Sequence, residues 1–435
     1  MRSLVVVLAI ALARPALADD SKLSLADAVA LARGHGYDVL LADGARLGAE
    51  GDLMTARAPQ NPGVLLGWMH MWNYYPHDDP ILGPCIQCAN DGPTFQFMDN
   101  GAIENELSGK RKLRTQVAEW ALRAAKMGKV DAQRNLEFLV KQQYVQVLQA
   151  RKTVAFLRDV QTFSTKMYEI NKDRYPKVIN EGALARTESD KLQADANVIA
   201  AEGAARQAEA GLRYLLAMTG DDKPLVLDED VLTFRVPAML ATPRLDDLVR
   251  LAIEHRPDLK GMDYEQRGAT DALVLEKRLV SPDISFGFNW LSAGYAQNTA
   301  APPQLTVQMV FTLPIFDQHQ GRIRKAESAV RQSKALYDKT AATVETDVKT
   351  ALAAFESSRD LVKLMEDRQL AAARTARDIT QTQYQAGAAQ LTDYLDAERT
   401  FVAVNQAYFQ ALAAYWTAVF QLEQAVGTNL REAAP

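Results

Sequence analysis

The sequence predicts a mainly α-helical chain that also carries a membrane β-barrel segment, built from two copies of one half. Three observations predict this. First, "SLADAVALARGHGYDVLLAD" (24–43) overlies "RLDDLVRLAIEHRPDLKGMD" (244–263) at an offset of 220, which also carries 62–67 onto 282–287. "LEFLVKQQYVQVLQAR" (136–151) overlies "VETDVKTALAAFESSR" (344–359) at an offset of 208. A period near 200 residues is far above those of solenoids and propellers and reads as a duplicated half. Second, apolar residues recur at steps of seven. Tyr394, Phe401, Tyr408, Tyr415 and Leu422 form one track, and Leu395, Val402, Phe409 and Trp416 a second beside it. Such steps mark helices that coil around neighbours. Third, four segments alternate apolar and polar residues at strand spacing.

Each half has the order helix, strand, strand, long helix, turn, helix. The first half, 19–220, predicts helices at 24–57, 110–172 and 184–218. The second, 245–428, predicts them at 246–279, 321–385 and 390–427, after a proline-containing linker at 221–244 and before a tail at 429–435. At 1.5 Å per residue the helix 110–172 would be about 90 Å long, and the two shorter helices of its half sum to about that length. They can stack end to end beside it. Two adjacent apolar tracks on one helix imply neighbours on two sides, as in a closed palisade; periodicity alone leaves a plain antiparallel bundle open.

Strands are predicted at about 64–75, 94–107, 283–295 and 304–316. In the last, Leu305, Val307, Met309, Phe311 and Leu313 oppose Thr306, Gln308 and Thr312. In the third, Ile284, Phe286, Phe288 and Trp290 oppose Ser285, Gly287 and Asn289. Segments of about 10 residues fit a tilted strand crossing a bilayer, and apolar-out, polar-in alternation is the sequence mark of a membrane barrel. A soluble sheet with one buried face is the alternative, and it needs a helix to cover that face. Four strands close no barrel, since the smallest have about eight. Open edges are not tolerated in lipid, so the reading requires association of chains. A dimer, trimer or tetramer each keeps an even strand number.

The first twenty residues, "MRSLVVVLAIALARPALADD", read as targeting rather than fold. A basic residue, a short apolar run and an A-x-A site at 16–18 predict a secretory signal over 1–18. Its loss takes Arg2 and Arg14 with it and moves the formal charge from −5 to −7. A mildly acidic chain gives no argument for nucleic acid. No cysteine follows the cleavage site, so N-terminal lipidation is not expected.

"WMHMWNYYPHDDPILGPCIQCAND" (68–91) stands apart. Cys85 and Cys88 are available for a disulfide in an oxidising compartment. Met69, His70, Met71 and His77 are soft or imidazole ligands and make weak metal candidates; no partner motif completes a structural zinc site. The five histidines, at 35, 70, 77, 255 and 319, form no catalytic constellation. The reading is therefore not an enzyme, with no cofactor.

Several stretches carry a resemblance. "APQNP" (58–62) and "SPD" (281–283) precede strands, "LPIFDQHQGRIRKAESA" (313–329) leads a strand into a long helix, and 384–428, opening "YQAGAAQLTDYLDAERT", forms a closing hairpin. In these the chain resembles the TolC-like outer-membrane factors (outer membrane efflux proteins), with some likeness to the heavy-metal-efflux branch. The resemblance implies a homotrimer with a 12-stranded barrel continuous with a long α-helical periplasmic tunnel. It implies residence in the outer-membrane lipid of a Gram-negative bacterium. It further implies service as the exit duct of a tripartite efflux or type I secretion system, with a periplasmic adaptor and an inner-membrane pump as partners. The alternative is an exported helical stalk without a channel.

The resemblance also gives Asp393 and Asp396 a role. Spacing alone puts them on one helix face and allows simple support of a helix start. By the family pattern they line the pore constriction as stacked carboxylate rings, which favour cations. Tyr384, Gly387, Gly182 and Glu188 are placed at the tip hairpins. Some relatives carry an arginine two residues after the glycine; here that position is Ala389.

Overall fold

A computed structural model describes residues 22–71, 90–220, 225–291, 295–296, 299–300 and 303–431. The predicted signal at 1–18 and the residues His77, Cys85 and Cys88 lie outside these. In chain order the helices are α1 (Leu25–His35), α2 (Tyr37–Arg57), α3 (Ala102–Leu107), α4 (Lys110–Arg174), α5 (Glu181–Leu215), α6 (Leu245–His255), α7 (Pro257–Arg278), α8 (Gln320–Leu364), α9 (Leu370–Gln385) and α10 (Leu391–Val426). The strands are β1 (Gly63–Met71), β2 (Asn90–Met98), β3 (Ile284–Leu291), the short β4 (Tyr295–Ala296) and β5 (Thr299–Ala300), and β6 (Gln304–Phe311). Two helices, a pair of long strands and a long helical hairpin thus occur twice, with α3 in the first half only and β4 and β5 in the second only among the described residues.

Several boundaries differ from those predicted. The helix predicted over 24–57 is two, α1 and α2, broken at Gly36 in extended backbone. A Cβ there would press on the Leu136 side chain of α4 and lie 2.7 Å from the Ala32 carbonyl oxygen, a backbone atom that cannot give way as a side-chain end can, so the break favours glycine. Its counterpart over 246–279 breaks at Arg256, because Pro257 opens α7 and has no N–H to continue α6. The strand predicted over 94–107 runs instead from Asn90 to Met98, and 102–107 is the helix α3. Asn100 and Gly101 take positive φ, and the buried Asp99 carboxylate accepts from the amides of Phe286 (2.6 Å), Gly101 (3.2 Å) and Ile103 (3.3 Å). That turn ends the strand and starts the helix. The strand predicted to 316 ends at Phe311, ahead of Pro314.

The chain divides into two units. One, residues 41–131 and 256–345, contains the sheet. Its strand order is β1-β2-β3-β6, every pair antiparallel. The register lines up Val64, Phe97, Phe288 and Val307, and next to them Leu66, Phe95, Trp290 and Leu305. Alternation then puts Trp68, Phe286, Met309 and Phe311 on the same face. From the row of Trp68 to that of Val64 this face is apolar, with the Phe97 and Phe288 rings stacked at 5.5 Å. The opposite face carries the row Leu65, Gln96, Asn289, Thr306 and the residues Thr94, Ser285, Gln304 and Gln308. At the sheet's base Lys110, fully buried, donates to the Ser281 carbonyl and Asp283 (each 2.8 Å) and to Glu104 (3.2 Å). A buried ammonium is tolerated only with such partners.

The other unit comprises residues 22–40, 132–255 and 346–431 and is helical. Its core follows the steps of seven. Tyr394, Tyr415 and Leu422 of one track, and Leu395 and Trp416 of the other, are buried; the positions between are half-buried. Phe355 meets Tyr415 at 5.8 Å between ring centres. The segment after 225 packs on α10, where Tyr415 Oη donates to the Arg235 carbonyl (2.8 Å) and Trp416 Nε1 to that of Thr233 (3.0 Å). Buried tyrosine and tryptophan need such acceptors. Between α8 and α9, residues Met365–Gln369 form one π-helical turn that leaves the axis continuous.

Candidate functional site

The tip residues predicted from sequence fall in the helical unit, where α9 turns into α10. The turn is set by Gly387, whose φ of +78° suits the left-handed position after a helix. Its N–H donates to the Tyr384 carbonyl (3.1 Å) and that of Ala388 to Gln383 (2.8 Å), so the last carbonyls of α9 are satisfied. Gln390 then caps α10 reciprocally with Asp393: each side chain accepts from the other's backbone N–H. Such a box satisfies two orphan donors of a helix start. Asp393 is exposed while doing this. Asp396, one turn on, is 78% exposed, with Arg399 at 3.8 Å. Asp396 is thus open to solvent beside Arg399, while Asp393 holds the cap through one oxygen.

Tyr384 is part of a small core. It is buried, stacks on Tyr394 at 5.7 Å and 14°, and packs with Met167 and Leu395. Its hydroxyl donates to Asn171 Oδ1 of α4 at 2.7 Å, a buried bond that ties the two hairpins together. The first hairpin enters α5 through Asn180, whose side chain accepts from the Ala183 amide (2.8 Å). Gly182 lies in that first turn, and Glu188 is exposed on the second. The sequence thus brings Tyr384, Gly387, Asp393 and Asp396 to one hairpin and Gly182 and Glu188 to the start of the other. Of the metal candidates, the backbone of Met69, His70 and Met71 ends β1, paired with Gly92, Asp91 and Asn90.

Sequence reasoning missed Glu398. It lies in α10 beneath Tyr394, only 4% exposed, and its Oε2 has no hydrogen-bond partner. Burial pushes its carboxyl up to about 7; Arg377 pulls down, while Asp190 and Asp378 push up. Burial likewise drives the Tyr394 hydroxyl well above its ordinary value, with the charge of Glu398 adding to it. Glu398 borders a cleft of about 720 Å³ lined also by Phe156, Phe163, Arg374, Arg377 and Phe401. A glutamate at an apolar-track flank was the available signal: the run Tyr394, Leu395, Phe401, Val402 encloses position 398 on the helix.

Residues 248–428 match the family model described as outer membrane efflux protein. Over 178 residues, 40% of this chain, the sequence is 25% identical to the pyoverdine export outer membrane protein OpmQ of Pseudomonas aeruginosa, and the match spans 37% of that protein. Solved structures share the fold. CusC, studied for its folding and transmembrane channel formation, superimposes with a TM-score of 0.75 at 17% identity, covering 95% of this chain and 96% of its own. The outer membrane protein VceC of Vibrio cholerae gives 0.72 at 16%, covering 93% and 96%.

Proposed function

We propose, for a chain whose residues 248–428 match the outer membrane efflux protein model and whose fold is like that of CusC and VceC, the role of an exit duct in the outer membrane. The observation that carries this is the four-stranded sheet, apolar across one face and polar-rich on the other. On the isolated chain Leu66, Trp68 and Val307 are 74, 70 and 79% exposed. An apolar surface of that extent needs a cover, and lipid is the cover that matches the alternation. A helical stalk has no use for it.

The outer strands, β1 and β6, run antiparallel to each other when four strands alternate in direction. β6 of one copy therefore pairs with β1 of the next in the same antiparallel sense. Three copies close a barrel of about twelve strands and remove every edge. The polar face lines the channel. In this homotrimer the exposed Asp393 and Asp396 form two rings at the tip and make the passage prefer cations. A periplasmic adaptor and an inner-membrane pump deliver the substrate, as in tripartite efflux or type I secretion. The hydrogen bond from Tyr384 to Asn171 holds the tip hairpins together in the absence of an arginine at position 389.

The test is planar-bilayer conductance of the purified oligomer, native against Asp393→Ala/Asp396→Ala. Low-conductance pores with a cation preference that the double variant loses support duct and rings together. Pores whose preference survives the substitution return the aspartates to helix support. A folded oligomer that never conducts removes the duct.

A further inference from the structure

Glu398 is a buried acid in a helical joint, and nothing in the duct reading uses it. Four helices bring charge to it. From α9 come Arg374, Arg377 and Asp378, from α5 Asp190, from α4 Asp159, and from its own helix the Tyr394 hydroxyl. Most of these are committed elsewhere. Arg377 is forked onto Asp378 (2.6 and 2.9 Å), and its guanidinium lies 4.1 Å above the Phe401 ring. Asp190 accepts from Ser164 at 3.2 Å. The remaining atom, Glu398 Oε2, is out of reach of solvent and without a partner. A buried carboxylate in that position is costly; a buried carboxylic acid is far less so. The cleft beside it leaves space into which α9 and α10 can shift.

We propose that Glu398 is a proton-linked joint of the tip: uncharged it holds α10 in the present packing against α4, α5 and α9, and on ionising it loosens the α9–α10 hairpin. The direction follows from linkage. The carboxyl is raised from 4.5 to about 7 in this packing. Its contribution is then complete below 4.5, declines above it and is lost as pH rises through 7. The hairpin tightens in acid and relaxes in mild alkali. This concerns packing within one chain and is read without any current, so its failure and that of the duct reading are separable.

The experiment is hydrogen exchange of backbone amides between 384 and 400 in the reconstituted native protein and in Glu398→Gln, from pH 5 to 8. Dividing native by variant rates at each pH removes the intrinsic pH dependence. The joint predicts a ratio that rises by at least about tenfold across the range, while amides near Glu423 show a constant ratio. A ratio that stays flat at the tip overturns it. Should Glu398→Gln fail to assemble, carbon NMR of the native Glu398 carboxyl decides. A titration midpoint near 7 supports the joint, and one at the ordinary glutamate value overturns it.

Discussion

The two ends of α10 each bury a glutamate to the same degree and treat it in opposite ways. Glu423 and Glu398 are both 4% exposed. Around Glu423 every demand is met: Lys141 donates to Oε2 at 2.9 Å, Arg431 to Oε1 at 2.8 Å, and the Leu430 amide to Oε1 at 3.3 Å. The helix ends four residues later on Gly427 in the left-handed conformation, and the chain folds back to supply two of these donors. Glu398 has an oxygen with no donor, its cation Arg377 turned to Asp378, and a cleft alongside. Asn171 Nδ2, in the same tip core, is also buried without a partner. Burial alone therefore does not decide whether a charge is structural. The set of donors does, and on α10 that set is complete at one end and open at the other.

The comparison breaks most severely at the satisfied end. Glu423→Ala strands Lys141 and Arg431 and is expected to cost about 3–5 kcal/mol, read as a large drop in the denaturation midpoint of the reconstituted protein. Glu398→Gln should show the reverse pattern. It is near neutral at pH 5 and stabilises at pH 8, by about 1–3 kcal/mol, because it removes an acid whose ionisation the packing opposes. Denaturation midpoints at the two pH values check the sign. Next is Tyr384→Phe, which keeps the stack on Tyr394 and deletes the hydroxyl bonded to Asn171. A loss of about 1–2 kcal/mol is expected, with faster tip exchange as its local signature. Smallest is Asp396→Ala, an exposed group whose effect on stability should stay within about 0.5 kcal/mol. Asp393→Ala should cost about 1 kcal/mol through the lost cap, and a difference between the two in thermal midpoint separates capping from any role in conduction.

Much of the architecture was legible because the periods are long. The bounds expected for α4 and α10 fall within a few residues of those observed, the steps of seven mark the core of α10, and clean alternation locates β3 and β6. What was misread is local. The Asn100-Gly101 pair is turn chemistry in plain sight, yet the apolar residues on either side favoured a continuous strand. Gly36 is invisible as a helix break until the Ala32 carbonyl and the Leu136 side chain are known to crowd it. The tip was legible in part: Gly387 and Tyr384 have sequence marks, and Asp393 carries a helix cap that spacing had allowed. Glu398 was legible only as a glutamate between apolar tracks; its surroundings, Arg377, Asp378 and Asp190, lie on other helices, and no single-helix pattern holds them. Asn171 escaped for the same reason, its partner being 213 positions away.

The central claim is that the apolar face of the sheet is a wall against lipid. Single-tryptophan variants reconstituted in brominated phospholipid vesicles test it most directly. Variants keeping Trp68 or Trp290, both on that face, should have their fluorescence strongly quenched, and a variant keeping the buried Trp416 of the helical unit should not. Equal fluorescence from all three would place the sheet out of contact with the bilayer and contradict the account.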